Sequence, residues 1–93
     1  MVEELIEAKA RSKKSKRYLQ DLRFRLHRFA DAFTSEISHV TGRDVQRWLD
    51  GLEAAPQTVK NFRTVVGTLF TFAEGRGYIV KGSNPVTDTF LGL

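Results

Sequence analysis

Nine basic side chains, Lys9, Arg11, Lys13, Lys14, Lys16, Arg17, Arg23, Arg25 and Arg28, fall in a stretch that holds one acid, Asp21. That stretch carries +8, while the remainder of the 93-residue chain, with six bases and ten acids, carries −4. Cations gathered in this way are the electrostatic footprint of a polyanion partner, most often nucleic acid. The chemistry they offer is charge neutralisation: ammonium and guanidinium groups displace counterions from a phosphate backbone without reading its sequence. A solvated helix face behind a Lys-rich lead-in is the plainer reading of such a run. Two patterns favour nucleic acid. The block overlaps an amphipathic helix, and a second stretch, Ala54 to Ala73, contains no acid.

In that second stretch Gln57, Lys60, Asn61 and Thr64 share one side of a helix near its start. A helix entering a major groove there offers amides to adenine edges and cations to guanine or phosphate. Arg63 is displaced to the side, where phosphate contact is expected. The candidate DNA-contacting residues are therefore Lys13, Lys14, Lys16, Arg17, Gln20 and Arg28 from the first stretch. The second supplies Gln57, Thr58, Lys60, Asn61, Arg63 and Thr64. Thr64, Gly67 and Thr71 form a small-residue stripe that lets a backbone or a second helix come close, or that serves ordinary helix packing.

Catalysis has little to work with. His27 and His39 are isolated, and neither belongs to a His-Glu-x-x-His arrangement, so no metal is implied. Gly75-Arg76-Gly77 lacks the Lys-Ser/Thr ending of a phosphate loop, and no other cofactor is implied. Glu3 with Glu4, and Asp50 with Glu53, lie on polar helix ends and read as dipole or solvent charges. Tyr18 and Tyr78, the phenols of the chain, have no sequence-local base.

The elements that must position these groups are helices. Leu19, Leu22, Leu26, Phe29 and Phe33 make one stripe of a helix from Lys16 to about Phe33, with Ser15 as its N-cap. Phe24 sits on the opposite side, and packing against Leu5 or Ile6 of an N-terminal segment is expected for it. That segment, Glu3 to Ala10, reads as a short helix or frayed lead-in, and Thr34 to Val40 as a connector. Thr41 and Asp44 resemble a capping box for a short helix whose inner face is Val45, Trp48, Leu49 and Leu52. Pro56 suits the first turn of a helix running to about Glu74, with Phe62, Val66, Leu69 and Ala73 inward. Tyr78-Ile79-Val80 is a last apolar anchor. The fold class is all-α, a small orthogonal bundle of four to five helices. No apolar run approaches the ~18 residues of a membrane span, and without cysteine the chain has no disulfide framework. A cytoplasmic setting is expected.

The order of these stretches resembles the core-binding, SAM-like N-terminal domain of tyrosine recombinases of the phage-integrase type. The resemblance is carried by Tyr18-Leu19 through Arg28-Phe29, Ile37 through Trp48-Leu49, Gln57-Thr58-Val59-Lys60-Asn61, and Leu69 through Tyr78-Ile79 to Asn84-Pro85. It implies a domain that clamps one face of a recombination-site duplex, in a bacterial, archaeal or phage protein. A separate C-terminal domain of the parent would grip the other face and hold the catalytic residues, and the parent would assemble as a tetramer on DNA. The isolated domain is expected to be monomeric and not itself an enzyme. His27 is followed three residues on by Ala30 and His39 by Gly42, so the family's catalytic His-x-x-Arg has no place here. Residues 1–86 are expected to be the core-binding domain, with 1–14 a helical lead-in, and 87–93 the start of a linker to a catalytic domain.

Two other readings compete. A helix-turn-helix regulator would use Asp44 to Leu52 as first helix and Gln57 onward as recognition helix, although Glu53 to Pro56 is a long turn for that motif. A helical protein-interaction module would use Phe24 and the tail Phe90-Leu91-Leu93 as its apolar surface.

Overall fold

The computed structural model describes residues 2–33 and 37–89. Four α-helices make up the body: α1 (Val2–Arg11), α2 (Lys16–Ala32), α3 (Gly42–Asp50) and α4 (Pro56–Gly75). Two 3-10 turns, Ile37–His39 and Pro85–Asp88, precede α3 and follow α4. Thr34 to Glu36 of the expected connector, and the apolar tail Phe90, Leu91 and Leu93, lie outside the described residues.

Local chemistry fixes the helix starts. Ser15 Oγ accepts from the Tyr18 amide at 3.1 Å, satisfying one of the orphan donors of α2. At α3 the capping box is complete. Thr41 Oγ1 accepts from the Asp44 amide at 3.2 Å, and the Asp44 carboxylate accepts from the Thr41 amide at 3.0 Å. That backbone bond holds the Asp44 carboxyl below its usual range. Helix α4 has no side-chain cap and begins on Pro56, whose fixed φ suits the first turn. It ends in a Schellman motif: the Gly77 amide donates to Glu74 O and the Tyr78 amide to Ala73 O, with Gly77 at φ +79°.

The stripes of all four helices meet in one core containing Leu22, Leu26, Phe29, Val45, Leu49, Phe62, Val66, Leu69 and Phe70. Trp48 lies half-buried against it, its ring set edge-on to Phe29 at 5.1 Å and to Phe62 at 5.5 Å. Helix α1 is no frayed lead-in. Leu5 and Ile6 are core residues, and α1 packs on both α2 and α4. Its polar ties are long-range: Arg23 donates to Glu3 at 2.5 Å, His27 Nε2 lies 3.2 Å from the same oxygen, and the Tyr78 hydroxyl donates to Glu4 at 2.5 Å.

Two expectations need correction. Phe24 does not pack on Leu5 or Ile6; it is 63 % exposed, because those residues turn into the core and α1 meets α2 along Arg23 and His27 instead. Of the expected anchor Tyr78-Ile79-Val80, Ile79 alone packs on the core, while Tyr78 and Val80 are exposed. The packed body also continues past residue 86, since Val86 and Thr89 are buried against the rest.

Candidate nucleic-acid interface

Residues Ser12 to Lys14 turn the chain from α1 to α2, with Lys13 at φ +59°. Lys13, Lys14, Lys16 and Arg17 are exposed there, and Lys14 Nζ stands 6.0 Å from the centre of the Tyr18 ring. Among the described residues none of these four cations makes an ion pair. Arg23 does, with Glu3, and the arginine bond holds the Glu3 carboxyl below the usual carboxylate range.

A groove of about 580 Å³ runs over the outer side of α4. Its floor is Thr64, Gly67, Thr68 and Thr71; Ala8 and Lys9 of α1 with Ser12 of the following turn form one wall and Asn84, Val86 and Thr87 the other. No acid lines it. Lys9 and Ser12, at the entry to the basic α1–α2 turn, thus share this groove with Thr64 of α4.

The α4 residues divide. Lys60 is exposed, and Gln57 Nε2 donates to Asn61 Oδ1 at 3.1 Å, which sets the two amides side by side. Thr64 and Thr68 donate their hydroxyls back to Lys60 O and Thr64 O, both at 3.1 Å. Thr58 is half-buried on the inward flank. Arg63 also lines the groove, half-buried and tied to the segment after α4. Its Nε donates to Thr89 Oγ1 at 2.8 Å, and a terminal nitrogen donates to Thr89 O at 3.0 Å and Val86 O at 3.3 Å. These bonds give Arg63 a structural role, fastening the second 3-10 turn to α4.

Gln20 and Arg28 stand apart from α4's outer face. Neither lines the groove over α4. Arg28 lies with Arg25 over Phe62, their guanidinium carbons 5.7 and 6.0 Å from the ring centre. Sequence reasoning missed Lys9 and Ser12 as groove residues, because only the pairing of α1 with α4 places them there. It also missed Thr89, 26 residues from its partner Arg63.

The walls limit how α4 can meet a duplex. A major groove about 12 Å wide admits one helix, and α1 and the second 3-10 turn flank α4 from Thr64 onward. The first turns, with Gln57, Lys60 and Asn61, lie outside this groove, and Gln57 and Lys60 border a second depression beside Leu49, Asp50 and Leu52. A recognition helix inserted along its length, as the helix-turn-helix reading requires, does not suit this arrangement. Among the described residues no helix is long and apolar enough to cross a membrane, and no cluster of metal-ligating side chains is present.

No curated protein and no solved structure matches the chain. The family model described as phage integrase, N-terminal SAM-like domain, matches residues 2–77, which takes in all four helices. The chain accordingly belongs to the N-terminal SAM-like domain family of phage integrases, and its role is the DNA-associated one of that family.

Proposed function

We propose that this chain is the DNA-binding half of a site-specific recombinase, clamping one face of the recombination-site duplex. The observation that carries the reading is a groove that no carboxylate lines, in which Lys9 and Ser12, at the entry to the basic α1–α2 turn, meet the acid-free stretch of α4. Lys13, Lys14, Lys16 and Lys60 neutralise phosphates and set the register, while Gln57 and Asn61 offer amides to base edges. Arg17 stands at the edge of this surface. Thr64 adds a hydroxyl at the mouth of the groove. A C-terminal catalytic domain of the same parent holds the opposite face of the duplex and the DNA-breaking residues, and four protomers assemble on the site.

With one side of the clamp alone, binding is weak, on the order of the 10⁻⁴–10⁻⁶ M of non-specific contacts at physiological salt, and falls steeply as salt rises. Titration of a labelled duplex at two salt concentrations tests this. Affinity that ignores salt, or that survives Lys13→Ala with Lys14→Ala and Lys60→Ala unchanged, would count against DNA as the partner. Supercoiled plasmid should remain intact on incubation with the chain. Covalent attachment through Tyr18 or Tyr78 would overturn the division of labour between the two domains.

A further inference from the structure

Helix α2 turns a face away from the core on which Arg17, Phe24 and Asp31 recur every seven residues. Phe24, at its centre, is 63 % exposed beside a shallow depression of about 510 Å³ that Arg23, His27, Arg28 and Gln20 also line. Both acids of α2, Asp21 and Asp31, lie on this face and are exposed. It is therefore the least positive strip of the basic block and a poor surface for a polyanion. A large aromatic ring within a strip of balanced charges is the pattern of a protein contact.

We infer that this face pairs with the same face of a second copy, the two α2 helices running antiparallel about a two-fold axis through Phe24. In that arrangement residues after Phe24 on one helix face residues before it on the other, those on the same lateral side of the strip meeting one another. The strip is self-complementary under this operation. Asp31 meets Arg17, Arg28 meets Asp21, His27 meets Gln20, and Phe24 meets itself; symmetry makes each unlike pair twice. Seven residues of helix span about 10.5 Å, so the two Arg17–Asp31 pairs flank the aromatic contact on either side. A parallel pairing would instead set Arg17 against Arg17 and Asp31 against Asp31, which like-charge repulsion disfavours.

His27 also faces Glu3, and Arg28 also lies over Phe62. Arg17 and Asp31 have no competing ion pair among the described residues, so they carry the test. One helix face is smaller than the ~1,200–2,000 Å² of stable interfaces, and association is accordingly weak and concentration-dependent. It gives two DNA-binding chains a means of meeting without DNA.

Sedimentation equilibrium of the full chain without DNA, from micromolar to millimolar, reads the outcome. The wild type should show reversible monomer–dimer association, and Phe24→Ser should abolish it with helix content unchanged by circular dichroism. Arg17→Asp and Asp31→Arg should each weaken self-association by about tenfold or more, since each sets like charges opposite. Mixing those two variants restores both unlike pairs, so the mixture should associate as a heterodimer about as well as the wild type. A wild type that stays monomeric at millimolar concentration overturns the inference. So does a Phe24→Ser dimer, or a mixture that stays dissociated. None of these results bears on the DNA titration, because no DNA is present.

Discussion

The Arg63 side chain donates to Thr89 at 2.8 Å, closing a loop of 26 residues and fastening the segment after α4 onto its flank. Two further bonds to Thr89 O and Val86 O use the planar fork of the same guanidinium. Arg63→Ala leaves those carbonyls without this partner in a half-buried site and should destabilise the domain by about 1–3 kcal/mol. Arg63→Lys should recover little, since one ammonium cannot reproduce the fork. The salt dependence of DNA binding should not change in either variant that remains folded. A loss of DNA affinity with unchanged melting would make Arg63 a DNA contact.

Lys60 is the counterpart, an exposed cation on the same helix with no ion pair among the described residues. Lys60→Ala should leave the melting temperature within about 4 °C of wild type, as surface substitutions do in a domain of this size. It should weaken binding to every duplex sequence alike and lower the salt slope by about one. Unchanged affinity and slope would mean that the first turns of α4 are not in contact with DNA.

Trp48 sits edge-on to both Phe29 and Phe62 and joins α3 to α2 and α4. Removing it should cost about 3 kcal/mol, at the lower end for large aromatics because the ring is half-buried. That is a large part of the total for a domain of this size. Urea unfolding of Trp48→Ala decides the matter. A stable variant that had lost DNA binding alone would make Trp48 a base-stacking residue.

Gly67 lies inside α4, where glycine costs about 0.8–1.0 kcal/mol relative to alanine. A Cβ placed there would stand 3.5 Å from Val86 Cγ1, ordinary van der Waals contact. Gly67→Ala should therefore stabilise the domain by up to about 1 kcal/mol, read as a higher melting temperature. A lower one would show that α4 needs the closer approach of the second 3-10 turn that only glycine permits.

What was legible in the chain is what short-range chemistry determines. Ser15, Thr41 with Asp44, and Pro56 mark helix starts through bonds or dihedrals that span at most a few residues, and the buried stripes follow from a 3.6-residue period. The docking of α1 was not legible, because two adjacent apolar residues, Leu5 and Ile6, make too short a pattern to declare a core helix. Its polar ties reach to residues 23, 27 and 78. The candidate surface divides in the same way. Local spacing put Lys60 and Asn61 on an outer face, but the pairing of distant segments decides that α4 is walled from Thr64 onward and that Arg63 faces Thr89.

The first helix should respond to pH at both extremes. Its Glu4 carboxylate accepts from the Tyr78 hydroxyl, and that bond holds the Glu4 carboxyl below the usual carboxylate range. Glu3 is held low in the same sense by the bonds from Arg23 and His27. A carboxyl whose folded-state pKa is lowered contributes stability above its unfolded value and loses it as pH falls through the folded one. The attachment of α1 should accordingly weaken as pH falls below 4.5, the ordinary value of these carboxyls. Tyr78 behaves oppositely: the bond to Glu4 raises its pKa above 10.0, so its contribution is present below that value and disappears as pH rises past it. Amide hydrogen exchange in α1, compared with the buried half of α4 around Val66, reads the effect. Protection in α1 should drop first at both ends of the pH range, with Tyr78→Phe removing the alkaline limb and Glu4→Gln diminishing both. Uniform loss of protection across the domain would show instead that α1 opens only with global unfolding.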